Sequence, residues 1–261
     1  NIIMKKQILS ILFILSLTVS FSQLVSYEVI WVKEGMDESY LEVEDFWSKT
    51  KEQAIADGHQ NFWVVFKLEK DLENQDDQMK PDYIVMNGYK DSIQMSNNVN
   101  WKELAMKVYK KELSKKKFEK KWSLGWEVRK ETRNFLVERL DNTDWTELKD
   151  GKQPKFFFNG FKALNDDYEG YEMKFFKQSH QKQVEDGIRS WWEFNRVISR
   201  SDNANQEVTH FTMDVLDKDY NWSSPENQSF VDQMMFKNGI ASRDRVIGDI
   251  VTVVQAKFKQ N

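Results

Sequence analysis

Ala56-Asp57-Gly58-His59-Gln60-Asn61-Phe62-Trp63 and Glu185-Asp186-Gly187-Ile188-Arg189-Ser190-Trp191-Trp192 decide how this chain is read, because each closes a helical pattern at Asp-Gly and then opens an aromatic strand. Both sit inside longer stretches, Phe46 to Leu68 and Phe175 to Val197. At an ungapped spacing of 129 residues, Phe46 matches Phe175, Asp57 matches Asp186, Gly58 matches Gly187 and Trp63 matches Trp192. Near matches are Trp47 with Phe176, Ile55 with Val184, Phe62 with Trp191, Lys67 with Arg196 and Leu68 with Val197. A glycine just past the last helical turn takes the left-handed conformation that closes a helix at low cost. Aromatic and β-branched residues then favour a strand. A repeat of this length marks a duplicated domain rather than a solenoid, so two similar halves are predicted.

The wider composition fits that reading. With 261 residues, 40% hydrophobic and 31% charged, the chain has the balance of a soluble protein able to bury one large core or two ordinary ones. Its 10 Trp, 18 Phe and 8 Tyr suit packed sheet faces or a lined cavity. Cysteine is absent, which removes disulfides, thiolate metal sites and a lipid-anchor cysteine. Met4 to Ser22 reads as a secretory signal, with Lys5 and Lys6 first, Ile8 to Val19 apolar and Ser20-Phe21-Ser22 as the cleavage pattern. Export to the periplasm or the extracellular space is therefore expected, with a mature chain from Gln23. The apolar run is too short for a membrane span. Losing Lys5 and Lys6 takes the formal charge from -4 to -6, which argues against general nucleic-acid binding.

In chain order, strands are predicted at 27–33, 59–69, 83–89 and 131–140, with helices at 37–57 and 100–121. Asp150-Gly151-Lys152-Gln153-Pro154 is the expected junction, so that residues 1–22 are the signal, 23–150 the first half and 151–261 the second. The second half predicts strands at 155–162, 188–198, 207–216 and 249–256. Its helices are predicted at 165–186 and from Ser224-Pro225 to Asn238-Gly239. Each half thus reads βαββαβ, the split βαβ unit of a ferredoxin-like α+β domain. One antiparallel sheet with helices on one face leaves the other bare, and two halves can pair those faces. On the element order and the Asp57-Gly58/Trp63 and Asp186-Gly187/Trp192 match, the chain resembles the dimeric α+β barrel superfamily as a tandem fusion. Two ferredoxin-like domains packed without a closed barrel are the alternative.

Polar side chains alternating along the strands of the second half give the candidate site. Trp191, Glu193 and Asn195 form one parity of a strand, and His210, Thr212 and Asp214 are assigned to the same side of its neighbour. That row is either a solvent face or a cavity wall, since buried polar groups need partners or water. Glu193, Asp214 and His210 are the candidate acid/base residues, and Trp191, Asn195 and Thr212 the candidate ligand contacts. No histidine pair has metal-ligand spacing, so no metal is expected. The resemblance implies either a cofactor-free monooxygenase-like enzyme or a haem-linked one, with His180 as the histidine able to serve as an iron ligand. The first expectation from the sequence is an exported cell-envelope protein that binds a small organic ligand or a protein partner. The internal repeat is compatible with a monomer.

Overall fold

A computed structural model describes residues 24–71, 73–148, 154–217 and 229–259. The signal-like segment Met4 to Ser22, most of the expected junction at 150–154 and the expected helix start at Ser224-Pro225 lie outside the described residues. Two compact units are present. The first runs to Leu136 and resumes at Thr252, and the second spans Val137–Val251.

The first unit contains β1 (Leu24–Val32), α1 (Asp37–Ala56), β2 (Phe62–Leu68), the short α2 (Gln75–Met79), β3 (Tyr83–Tyr89), α3 (Ser92–Ser96), α4 (Trp101–Tyr109), α5 (Lys115–Glu127) and the first part of β4 (Arg129–Asn142). The second contains the rest of β4, then β5 (Pro154–Ala163), a helix in three parts, β6 (Arg189–Arg200), β7 (His210–Asp217), α8 (Phe230–Ala241) and β8 (Arg243–Phe258) up to Val251. The three-part helix is α6 (Tyr168–Tyr171), a π turn (Glu172–Phe176) and α7 (Lys177–Glu185). Strand order in the first unit is β4-β1-β3-β2-β8 and in the second β8-β5-β7-β6-β4. The pairs β1/β3, β2/β3, β5/β7, β5/β8 and β6/β7 are antiparallel. Among the described residues no helix is long and apolar enough to cross a membrane.

The two Asp-Gly turns fold alike. Gly58 has φ 78° and Gly187 φ 72°. In the first, Gly58 N–H donates to Ile55 O (3.1 Å) and His59 N–H to Ala54 O (2.8 Å); in the second, Gly187 N–H donates to Val184 O (3.0 Å) and Ile188 N–H to Gln183 O (2.9 Å). These are the paired bonds of a Schellman closure, and they satisfy carbonyls that the helix end would otherwise leave without a donor.

In the first unit, register puts Trp63 opposite Asn87 and Val65 opposite Val85. Trp63, Val65, Tyr83, Val85 and Ile30 then pack with Tyr40 and Val43 of α1. Either Asp37 or Ser39 could cap α1 by its residue type, but neither does: the helix begins after Met36 with no side-chain cap, and Asp37 lies in its first turn. The Asp37 carboxylate accepts instead from Tyr83 Oη (2.6 Å) and Lys67 Nζ (2.8 Å). The single helix predicted at 100–121 is two, because Ser114 starts a new one by accepting from Lys117 N–H. The break lets Tyr109 stack on Phe46 (4.7 Å) while Phe118 meets the same ring edge-on (5.7 Å).

In the second unit, α8 continues past the stop predicted at Asn238-Gly239 to Ala241. Gly239 is there for close approach: a Cβ on it would lie 2.7 Å from the Phe176 ring, whereas one on Gly125 of α5 would meet Val43 at an ordinary 3.6 Å. Gly239→Ala is therefore expected to cost about 1–3 kcal/mol by overpacking. Gly125→Ala should stabilise by about 0.5–1 kcal/mol through helix propensity. Urea denaturation of the two variants checks the opposite signs.

Candidate functional site

The β6/β7 register divides the six residues expected to share a face. Trp192 lies opposite Asp214, Glu193 opposite Met213, Phe194 opposite Thr212, Asn195 opposite Phe211 and Arg196 opposite His210. His210, Thr212 and Asp214 therefore share a face with Trp192 and Phe194, while Trp191, Glu193 and Asn195 share the other with Phe211 and Met213. Neither set faces solvent: Glu193, Asn195, His210 and Asp214 are all buried.

Glu193, Asp214 and His210 are held by partners within the second unit. Arg139 Nη2 pairs with Glu193 at 2.7 Å, and the fully buried Arg189 pairs with Asp214, which also accepts from Asn159 Nδ2 (3.1 Å) and Thr212 Oγ1 (3.3 Å). His210 uses both ring nitrogens, Nε2 with Glu169 (3.0 Å) and Nδ1 with Thr209 (2.9 Å), and its ring stacks on Phe194 at 5.1 Å. Burial lowers the His210 pKa against the pull of Glu169. The amide of Asn195 is buried with neither its nitrogen nor its oxygen hydrogen-bonded.

His180 packs its ring on Trp192 at 5.0 Å, and its Nδ1 is buried without a hydrogen bond. Burial, and then the nearby Arg189 cation, push its pKa well below the ordinary histidine range. With an indole on the ring and a cation beside it, His180 lacks the open approach that an axial ligand presents to a porphyrin, and these residues do not fit haem. Among the described residues no cluster of three or more His, Cys, Asp or Glu is arranged to hold a metal ion.

The first unit holds an aromatic cavity. About 200 Å³ of space lies between its sheet and its helices, bounded by Trp47, Trp63, Trp101, Trp122 and Trp126, with Glu28, Glu44, Lys51 and Arg129 as the charged groups. Half of the chain's 10 tryptophans thus line one pocket. Glu44, Trp47 and Lys51 come from one face of α1, spaced by three, four and seven residues as a helix face requires. Glu28 of β1 and Trp63 of β2 come from the sheet, and Arg129 opens β4. Trp126 is mostly exposed, which puts it at the rim.

Charges in this site are linked rather than free. Arg129 Nη1 bonds Glu28 Oε2 at 2.8 Å and Nη2 approaches Glu44 Oε1 at 3.4 Å, with Nε buried and without an acceptor. Lys51 Nζ donates to Asn87 Oδ1 (2.8 Å) and Gln60 Oε1 (3.4 Å) and lies 4.0 Å over the Trp101 ring. Burial raises the Glu44 pKa to about 7, opposed by Arg129. Burial also lowers that of Lys51 to about 8, against Glu28 and Glu44. Desolvation dominates both shifts because each disfavours the charged form. The Tyr40 hydroxyl is buried beside Glu44. A carboxyl that changes protonation near neutral pH, set in an aromatic wall, can take or return a proton from a bound molecule.

Corresponding positions in the second unit carry related residues. Tyr40, Glu44 and Arg129 correspond to Tyr168, Glu172 and Arg243; the Arg-to-Tyr-ring distances are 5.9 and 5.8 Å. Arg243 pairs with Glu172 as Arg129 does with Glu44. Trp47 and Trp122, 5.4 Å apart, correspond to Phe176 and Phe236, 5.9 Å apart, and Lys51 corresponds to His180. The π turn adds one residue, so the spacing is 128 before it (Tyr40/Tyr168) and 129 after it (Lys51/His180). That slip hid Tyr-x-x-x-Glu, which occurs in both halves. The sequence also carries Gly125-x-x-x-Arg129 and Gly239-x-x-x-Arg243, a signal that could have found the arginines.

Fold and site together define a protein of α+β class, antiparallel in its sheets, with an aromatic cavity between sheet and helices of one unit. Solved structures with this fold are monooxygenase-like. An anthrone oxidase-like protein superposes with a TM-score of 0.56 at 9% identity, covering 94% of this chain and 97% of its own. A monooxygenase-like protein of Fusobacterium nucleatum subsp. nucleatum gives 0.56 at 10% identity, covering 91% and 95%. Another from Lactobacillus acidophilus gives 0.53 at 7% identity, covering 91% and 97%. No protein-family model matches the chain, and no curated protein does. At these identities the likeness is one of fold.

Proposed function

We propose that the chain is a monooxygenase-like enzyme acting on a small aromatic compound bound in the cavity of the first unit, with Glu44 as the acid/base residue. The observation that carries this is a buried carboxyl in a wall built from five tryptophans. The cavity, at about 200 Å³, is smaller than the roughly 300–1,000 Å³ of drug-sized sites, which favours a compact ring system. Flat indoles offer stacking surface, and the Arg129 guanidinium on the wall offers a positive charge to a ligand oxygen. The names of the solved structures with this fold favour oxidation over simple storage.

For a substrate with an acidic CH2 beside an aromatic carbonyl, the chemistry balances without a further reductant. Glu44 takes one proton, the carbanion gives its electrons to dioxygen, and a C–O bond forms. Loss of water from the hydroperoxide leaves a ketone. One oxygen atom is then in the ketone, the other in water. Arg129 would hold the enolate oxygen, and the indoles would exclude bulk water.

The same proposal takes the two units as ferredoxin-like copies, on their matching strand orders and matching Tyr-Glu-Arg residues, with one copy keeping the cavity. It also retains export through Met4 to Ser22. The test is dioxygen uptake with anthrone, alongside quenching of tryptophan fluorescence by 2-naphthol. Uptake should exceed the buffer rate and rise with pH through about 7 as Glu44 loses its proton. Glu44→Gln should lower it about 10²–10⁴-fold. Neither uptake nor quenching would remove the proposal.

A further inference from the structure

We infer that Lys51 is a covalent attachment point for aromatic aldehydes and ketones, its amine forming an imine with a carbonyl carbon held in the tryptophan-lined cavity. This rests on the reading of that cavity as an aromatic site and adds the carbonyl as the group recognised. Lys51 forms part of the cavity wall, where the Trp101 ring lies 4.0 Å and the Trp47 ring 5.6 Å from its nitrogen. A planar carbonyl compound stacked among these indoles would have its reacting carbon within the amine's surroundings.

Position and acidity agree. Asn87 of β3 and Gln60, just before β2, accept hydrogen bonds from the amine and fix its place. A neutral amine can donate both hydrogens to those two amide oxygens and still keep its lone pair. The charged groups acting on it are Glu28 of β1, Glu44 of α1 and Arg129 of β4. Burial outweighs the two carboxylates, so a substantial fraction of the amine is neutral at mildly alkaline pH, where a surface lysine is almost wholly charged. Desolvated lysines of this kind are the ones that serve as nucleophiles. In the second unit the corresponding position holds His180, also a nitrogen base with its pKa lowered by burial. Both units thus carry a nitrogen base at this position, beside the Glu44/Glu172 and Arg129/Arg243 pairs.

The step conserves atoms and electrons. The Nζ lone pair forms a bond to the carbonyl carbon, and the π pair moves to oxygen, which takes a proton. The carbinolamine then expels water as the nitrogen gives up its second hydrogen. Amine plus carbonyl gives imine plus water, with no oxidant or reductant. Glu44, on the same helix face as Lys51 and with its pKa near neutrality, can take and return the protons.

The experiment treats the full chain with 2-naphthaldehyde at pH 8, reduces with borohydride and maps adducts by peptide mass spectrometry. The naphthylmethyl adduct should accumulate on Lys51 at least ten-fold above the mean of the other lysines, and excess 2-naphthol should suppress it there alone. Lys51→Arg should lose the preferred adduct with an unchanged circular dichroism spectrum. Adduct spread evenly over the lysines, with 2-naphthol still quenching tryptophan fluorescence, would overturn the inference and leave the aromatic site standing. If 2-naphthol neither quenches nor protects, the aromatic site falls and this inference with it.

Discussion

Replacing Arg129 by leucine is expected to cost about 3 kcal/mol or more of stability and, under the proposed function, to abolish dioxygen uptake, because it leaves Glu28 and Glu44 inside the first unit without their shared cation. Arg129 is mostly buried and Glu44 wholly so, hence solvent does little to screen the loss. The sign of the pH dependence follows from Glu44. Its folded pKa is already raised to about 7, so the protonated form is the one favoured by folding. Removing Arg129, which opposes that rise, moves it higher. The destabilisation should be smallest in acid, where Glu44 is protonated in folded and unfolded chains alike, and should grow as pH rises through 7 and beyond. Urea titrations of Arg129→Leu and the unsubstituted chain at pH 5 and pH 8 check this. A pH-independent difference would mean that Arg129 acts through packing on Tyr40 alone.

The second large effect is expected at Arg189. It is the one ionised side chain among the largest fully buried groups, bonded to Asp214 and, through Nε, to Gln183 Oε1 at 3.0 Å. Arg189→Leu strands the Asp214 carboxylate and should cost about 3–5 kcal/mol. Arg189→Leu combined with Asp214→Leu should recover at least half of that, since a buried pair replaced by apolar groups of similar size is often nearly neutral. The double-variant cycle is read from denaturation midpoints. Equal loss in the double variant would show that Asn159 and Thr212 depend on Asp214 more than Arg189 does.

Much of the architecture could be read from local chemistry. Gly58 and Gly187 announce their turns because glycine takes positive φ without strain, and the bonds around them repeat residue for residue. Tyr83–Tyr89 coincides with its predicted strand. Features that depend on distant contacts were hidden. The break at Ser114 follows from two aromatic rings competing for Phe46, and the persistence of α8 through Gly239 follows from the nearness of Phe176. Both override local propensity. The β6/β7 register depends on the loop between them, and a single-residue offset moves every side chain to the other face. The cavity was obscured for a related reason: its tryptophans come from α1, β2, α4 and α5, so no window of sequence shows them together. The second half looked more polar on its strands, and Glu193, His210 and Asp214 turn out to be paired in its interior while the Asn195 amide is buried without a hydrogen bond.

The last strand gives the first unit a peculiar history. Thr252 Oγ1 reaches Lys67 O (3.4 Å) and Lys259 N–H reaches Asn61 O (2.8 Å), so β2 waits for residues made almost two hundred positions later. A nascent chain with Phe62–Leu68 emerged would carry an unprotected apolar edge until β8 had been made. The ribosome could not release a finished first unit ahead of the second, as it can for domains strung in series. Loss of β8 would harm the N-terminal unit first, and a chaperone that shields β2 should matter most until β8 has emerged.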